Sequence, residues 1–316
     1  MEETALRLPL AAALTELWNR CLGRTFPARQ RLLEQCLWAE PNFDAAGSRA
    51  VIDGDRLVAA VAVKRRQVAM GDLPVDGQGW ISFLLVDPEY RGQGIGGRLL
   101  DEARDRLRAF STAPVYLGGD PGHLFPGIPT ALRPALDWFA RRGAALGQPV
   151  CDLACTDMHA FTLPERAPPP GVTYRAAAPD DREGLFAFLR AEFPGRWTYE
   201  MEQHFTAAGR PEDVMLATTG GGVVGFARIY CPESVRLGPS TYWAPRFSGR
   251  HGGLGPIGVA ASVRGRGLGL GLLAASLAVL RERRLQSAVI DWTDLVTFYG
   301  LVGFRPWEWY ILATLP

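Results

Sequence analysis

Apolar positions near the start of the chain recur at helical spacing. "AALTELWNRCL" and "RQRLLEQCL" repeat them every three or four residues, which predicts two amphipathic helices. The period then drops to that of strands, because "RAVIDGDRLVAAVAV" carries two apolar runs broken by a Gly-Asp turn. "GWISFLLV" predicts a buried strand, and "GGRLLDEARDRLRAF" a helix with Leu99, Ala103 and Leu107 on one face. The same order returns later: helix "REGLFAFLRAEF", hairpin "VMLATTGGGVVGFARIY", strand "LGPIGV", helix "LLAASLAVLRERR", strand "SAVIDW" and helix "LVTFYGLVGF". Mixed α/β order of this kind, repeated, predicts two cores in 316 residues.

The boundary between the repeats is expected at "LPERAPPPG", residues 163–171, where clustered prolines favour extended backbone and remove donors. The expected division is therefore 1–162, a linker at 163–171, and 172–316. Two landmarks keep register across it. "TFPAR" around Phe26-Pro27 answers "EFPGR" around Phe193-Pro194, 167 residues on, and "RGQGIG" at 91–96 answers "RGRGLG" at 264–269, 173 residues on. Coincident offsets of this kind suggest an internal duplication.

Charge narrows the function classes. With 34 Lys+Arg against 33 Asp+Glu, there is no basic excess to hold nucleic acid and no acidic tail. Almost all the positive charge is arginine; Lys64 is the sole lysine. The cysteines Cys21, Cys36, Cys151, Cys155 and Cys231 lack the paired spacing or His companions of a zinc site, so no metal is expected. Cys151 and Cys155, four apart in a strand-like segment, are expected to share one buried face. The start "MEETALRLPL" lacks a basic region leading into an apolar run, and no uncharged stretch reaches the ~20 residues of a membrane span. A soluble, cytoplasmic protein that does not bind membranes is the expectation.

The two Arg- and Gly-rich hexapeptides each stand between a predicted strand and a predicted helix. Such a junction presents free backbone N–H groups at the positive end of a helix, which suits a phosphate or pyrophosphate. Gly94 and Gly96, like Gly267 and Gly269, let the backbone approach the anion, and Arg91 and Arg264 add a cation at the same end. Gly92, Gly94 and Gly97 also satisfy G-x-G-x-x-G, so a dinucleotide-binding unit has to be weighed. Against it, the motif is not at the first strand, "DPEYR" separates strand from glycines, and the second copy has Leu272 at the last glycine position. No P-loop sequence is present.

"LLVDPEYRGQGIGGRLL" and "IGVAASVRGRGLGLGLL" resemble the acyl-coenzyme-binding signature of the GNAT (Gcn5-related N-acetyltransferase) superfamily, [Q/R]-x-x-G-x-[G/A] after the fourth strand. Arg91, Gly94 and Gly96 match it, as do Arg264, Gly267 and Gly269. The resemblance implies two tandem mixed-sheet domains, splayed central strands that hold a pantetheine arm, and acetyl-CoA as co-substrate. The coenzyme-binding positions it implies are Leu85, Val86, Arg91, Gly92, Gln93, Gly94, Ile95, Gly96 and Gly97 in the first half. In the second they are Ile257, Val259, Arg264, Gly265, Arg266, Gly267, Leu268 and Gly269. It also implies a proton donor to the leaving thiolate at Tyr299 in "FYGLVGF"; the matching "WFARRGA" of the first half has Phe139, 160 residues earlier. A phenol donates a proton and a phenyl ring does not, so catalysis is expected in the second half.

The chemistry then needs a base, and the strand "LGPIGV" offers no carboxylate. His251, Glu233 and Asp291 are the candidates, the first two read as exposed loop residues. "STYWAPRF" and "PWEWY" offer aromatic walls for an acceptor pocket, and "DPGHLFPGIP" at 120–129 has the composition of a binding loop. Resemblance suggests a small-molecule amine as acceptor, an amino sugar or an aminated thiol. Two other readings are carried forward: a non-catalytic acyl-CoA binder or sensor, and a dinucleotide-dependent oxidoreductase.

Overall fold

In the computed structural model, residues 1–161 and 168–316 are described; the expected linker lies outside them at 163–167. Two compact units form. The first comprises Met1–Ala69, Pro74–Val150 and Glu308–Pro316, the second Met70–Leu73 and Cys151–Trp307. In chain order the elements are β1 (Glu2–Ala5), α1 (Ala11–Leu22), α2 (Gln30–Cys36), β2 (Arg49–Asp53), β3 (Arg56–Arg65), β4 (Gly79–Val86), α3 (Ile95–Arg108), β5 (Val115–Leu117), β6 (Ile128–Pro129), α4 (Arg133–Ala140) and β7 (Ala145–Cys155). They continue with β8 (Thr173–Ala176), α5 (Arg182–Glu192), α6 (Arg196–Thr206), β9 (Val214–Thr219), β10 (Gly222–Tyr230), β11 (His251–Val259), α7 (Leu268–Glu282), β12 (Ser287–Thr293), α8 (Val296–Gly300) and β13 (Arg305–Leu315).

In the first unit β1 to β4 form an antiparallel meander, β4 pairs parallel with β5, and β5 pairs antiparallel with the end of β13. The second unit repeats this plan. Strands β8 to β11 form the meander, β11 pairs parallel with β12, and β12 pairs antiparallel with Cys151–Cys155 of β7. Each unit therefore takes its last strand from a distant part of the chain.

Helix α3 packs Leu99, Leu100, Ala103 and Leu107 on its sheet, and α7 packs Leu272, Leu273, Leu277 and Leu280 on the other. Each fully buried leucine contributes about 1.5–3 kcal/mol, so these faces hold the two helices, and hence their N-termini, in place. Cys151 and Cys155 do share one buried face of β7. Burial pushes the Cys151 thiol up to about 11, leaving it inert as a nucleophile.

Candidate active site

Both Arg-Gly loops fold the same way. Gly92 and Gly94 have φ of 78° and 80°, and Gly265 and Gly267 have 74° and 83°. Gly94 and Gly267 are the left-handed N-caps of α3 and α7. A side chain is disfavoured at those angles, and a Cβ at Gly92, Gly94 or Gly265 would meet nothing within 4 Å, so open space lies over the loops. The first intrahelical bonds run from Arg98 N to Gly94 O and from Gly271 N to Gly267 O. The N–H groups of 95–97 and 268–270 thus precede the helical ladder and point outward at its positive end.

The flanking residues match as well. Arg91 Nε donates to Val86 O at 3.0 Å, and Arg264 Nε to Val259 O at 3.3 Å, so each arginine folds back onto the end of its strand. Ile95 and Leu268 are buried and anchor the first turns; Leu85 is buried, and Val86, Ile257 and Val259 are half-buried at the strand ends. Gln93 and Arg266 are exposed at the loop tips. A Cβ on Gly96 would lie 3.6 Å from the Trp138 ring, and one on Gly269 would lie 3.8 Å from Phe298. Gly143 and Gly303 end the following helices with φ of 85° and 86°. Phe139 and Tyr299, one residue after those two rings, are structural equivalents.

The parallel pairing of β11 with β12 runs from His251↔Ser287 to Leu254↔Ile290 and stops. Beyond it stand Gly255, at φ 144°, and Asp291, whose Oδ1 lies 3.1 Å from where a Gly255 Cβ would be. The carboxylate therefore faces the opening between the strands. Burial, reinforced by the carboxylates of Asp152 and Glu200 and opposed by Arg196, raises its pKa to about 8. Tyr299 is buried in α8. Desolvation, then the charges of Asp291 and Asp294, pushes its phenol far above the usual range, so it keeps its proton at neutral pH.

The other two base candidates are used elsewhere. His251 is not an exposed loop residue: it opens β11, buried, with Nδ1 bonded to Ser287 Oγ at 2.9 Å and Nε2 to Ser240 O at 3.1 Å. It also stacks on Phe247, and burial lowers its pKa to about 4. Glu233 is indeed exposed, and it pairs with Arg250 at 2.8 Å.

The 120–129 loop departs from its expected role. It is buried almost throughout, with Phe125 stacked on Trp18 and edge-on to Phe26. Asp120 accepts from Lys64 Nζ at 2.5 Å and from Ser82 Oγ at 3.0 Å, so the loop fills the core of the first unit. In "STYWAPRF", Tyr242 and Trp243 are also core residues.

Sequence reasoning missed the surroundings of Asp291. These are α6, where Arg196 and Glu200 pair at 2.7 Å, Trp292 beneath the Arg196 guanidinium, and buried Arg228 over the Tyr230 ring. The i,i+4 spacing of Arg196 and Glu200 was a visible helix signal; the preceding "FPG" obscured it.

The family model of the acetyltransferase (GNAT) family matches residues 11–123 and 182–304, and the chain belongs to this family. It is similar to the mycothiol acetyltransferase of Thermobispora bispora, 29% identical with 87% of this chain and 86% of that protein covered. It is also similar to that of Salinispora arenicola, 33% identical with 72% and 70% covered. Among solved structures, the GCN5-related glucosamine N-acetyltransferase region of a fungal multi-domain GH3 beta-N-acetylglucosaminidase superposes with a TM-score of 0.87 at 25% identity. That match covers 99% of this chain and 38% of the longer one. A tandem GNAT protein from the clavulanic acid biosynthesis pathway shares the fold, with a TM-score of 0.69 at 18% identity and 99% and 97% covered. The chain is thus an N-acetyltransferase with two tandem GNAT domains, which sets aside the oxidoreductase and the non-catalytic binder. No helix among the described residues is long and apolar enough to cross a membrane.

Proposed function

We propose that the second unit transfers the acetyl group of acetyl-CoA to the primary amine of a small molecule, an amino sugar or a thiol bearing an amine. The observation that carries the reading is Tyr299, a buried phenol next to Phe298, whose ring lies 3.8 Å from where a Gly269 Cβ would be, and within the field of the Asp291 carboxylate, where the first unit has Phe139. The acceptor class rests on the relatives, which are named for mycothiol and for glucosamine.

The loop residues suit the coenzyme. Open space over left-handed glycines at a helix N-terminus is what a pyrophosphate needs, and both loops have it. When bound, acetyl-CoA supplies the activated acyl group as a thioester. Residues 264–269 hold its pyrophosphate, the edge of β11 at Ile257 and Val259 guides the pantetheine arm, and the Tyr299 phenol donates to the leaving sulfur. The first unit, with the same loop at 91–97, holds a second coenzyme without turning it over.

Incubating the protein with acetyl-CoA and a panel of amines, while following thiol release, tests the activity. Glucosamine and cysteamine are expected to react, and no release with any amine would sink the reading. Calorimetric titration with coenzyme A is expected to give between one and two sites per chain; no binding at all would remove both sites.

A further inference from the structure

Asp291 is held in a way its sequence neighbours do not hint at. Strand β12 pairs with β7 through Ile290↔Leu153 and then Thr293↔Cys151, so Asp291 and Trp292 together oppose the single residue Asp152. That is a β-bulge, a device that re-aims a side chain. Trp292 has φ 44°, a left-handed conformation that is strained for a bulky residue and persists only where the surroundings impose it. Two contacts do so. The Trp292 N–H donates to Asp152 Oδ1 at 2.9 Å, and the Arg196 guanidinium lies 4.8 Å from the Trp292 ring centre while pairing with Glu200. The bulge turns the Asp291 carboxylate toward Gly255, into the gap left where β11 and β12 part.

Resting on the transferase reading, we propose that Asp291 takes the proton from the acceptor amine, and that Asp152 is the positioning residue that holds it there through the Trp292 N–H. The amine nitrogen bonds to the acyl carbon and yields one N–H proton to the Asp291 carboxylate. The carbon–sulfur bond breaks, and the sulfur takes the phenolic proton of Tyr299. Solvent returns the proton from Asp291 to the phenolate, so amine and thioester become amide and thiol with no net proton. The groups facing Asp291 are Asp152 on β7, Arg196 and Glu200 on α6, Tyr230 on β10, and Tyr299 on α8. Burial and the two carboxylates disfavour the ionised form, and it gains its charge only near pH 8. Turnover should therefore rise as pH climbs through that value. Stability moves the other way: a carboxyl raised in the fold stabilises below its ordinary pKa, and that contribution is lost as pH rises toward 8.

The test uses the full chain with acetyl-CoA and glucosamine or cysteamine. D291N is expected to lower kcat by about 10²-fold or more, leave only the rise with pH that deprotonation of the amine substrate itself gives, and leave coenzyme A affinity unchanged. Its melting temperature should gain on the wild type between pH 4 and pH 8. D152A and D152N should both move the pH profile to lower values, because each removes the carboxylate that disfavours the Asp291 charge, while only D152A should lower kcat, since the D152N amide oxygen still accepts from the Trp292 backbone N–H. Carbon-13 titration of aspartate side chains should show one carboxyl changing near pH 8 in the wild type and none in D291N. If D291N keeps both turnover and profile, or no carboxyl titrates above pH 6, Asp291 is not the base. If the wild type neither binds coenzyme A nor acetylates either amine, the transferase reading falls first, and that result is recognisable before any variant is made.

Discussion

The two units part their central strands at the same place and put opposite electrostatics there. In the second, pairing ends at Leu254↔Ile290, and Asp291 follows among other carboxylates, with Arg196 as the cation in its field. In the first, pairing ends at Ile81↔Leu117, and the chain runs on through two glycines to Asp120, fully buried against Lys64, the only lysine in the protein. One carboxylate is biased toward holding a proton; the other is neutralised by a fixed ammonium. Both units keep the glycine loop with nearly identical φ values, so the loop alone does not distinguish the unit proposed to turn over from the other. What differs between them is the charge environment at the strand opening and the hydroxyl at 299 against the ring at 139.

The largest expected effect lies at that hydroxyl. Tyr299→Phe should lower kcat by roughly 10²–10⁴-fold, nearer the low end where water protonates the thiolate, with coenzyme affinity unchanged. Phe139→Tyr should create no activity, because Asp120 remains locked to Lys64. Steady-state kinetics and calorimetry on both variants decide this. If Tyr299→Phe keeps full turnover while damage at Gly94 abolishes it, catalysis belongs to the first unit.

Next comes the lock itself. Lys64→Met leaves Asp120 buried without its cation and should cost about 3–5 kcal/mol in denaturant unfolding. Adding Asp120→Asn should recover much of that loss. A Lys64→Met protein as stable as the parent would mean that the pair does not neutralise the first opening.

Much of this plan was legible in the sequence, for identifiable reasons. The hairpins, the buried strands and the helices α1, α3, α5 and α7 carry their periodicity within a dozen residues, and the glycine loops recur in register. Two kinds of feature escaped. The last strand of each unit comes from far along the chain, so no local pattern marks Cys151–Cys155 as the neighbour of β12 or Glu308–Leu315 as the neighbour of β5. The bulge at Asp291 and Trp292 is likewise invisible, because a tryptophan at positive φ contradicts its own local preference and is fixed by Asp152, nearly half the chain away. At 120–129, glycines, prolines and His123, read as the composition of a binding loop, shape a segment buried around Phe125.

Smaller effects are expected in the loops. Gly94→Val and Gly267→Val put a β-branched residue at φ near 80°, a strain of order 1–3 kcal/mol. Because a Cβ at Gly94 meets no neighbour, the loss there comes from the backbone angle and from crowding of the bound anion rather than from a clash within the protein. Each change should weaken coenzyme binding at its own unit, lowering the calorimetric stoichiometry, and only Gly267→Val should reduce turnover.

The smallest effect concerns a cation that only the first unit has at this position. Arg142 packs its guanidinium 3.8 Å from the Trp138 ring centre, and a Cβ on Gly97 would lie 3.2 Å from its Nη2, so the charge sits over the first turn of α3. The equivalent position in the second unit is Val302, fully buried. A cation–π contact at an exposed site contributes about 0.5–1 kcal/mol, so Arg142→Ala should barely move the unfolding midpoint. A positive charge beside the helix N-terminus adds to the dipole that draws in an anion. The same substitution should therefore weaken coenzyme A binding at the first unit several-fold, with a shallower salt dependence, while turnover in the second unit stays at the parental rate. Calorimetry at two salt concentrations separates the two sites. An unchanged first-unit affinity would mean that Arg142 serves only to pack Trp138, and that the two loops bind their ligand with the same set of groups.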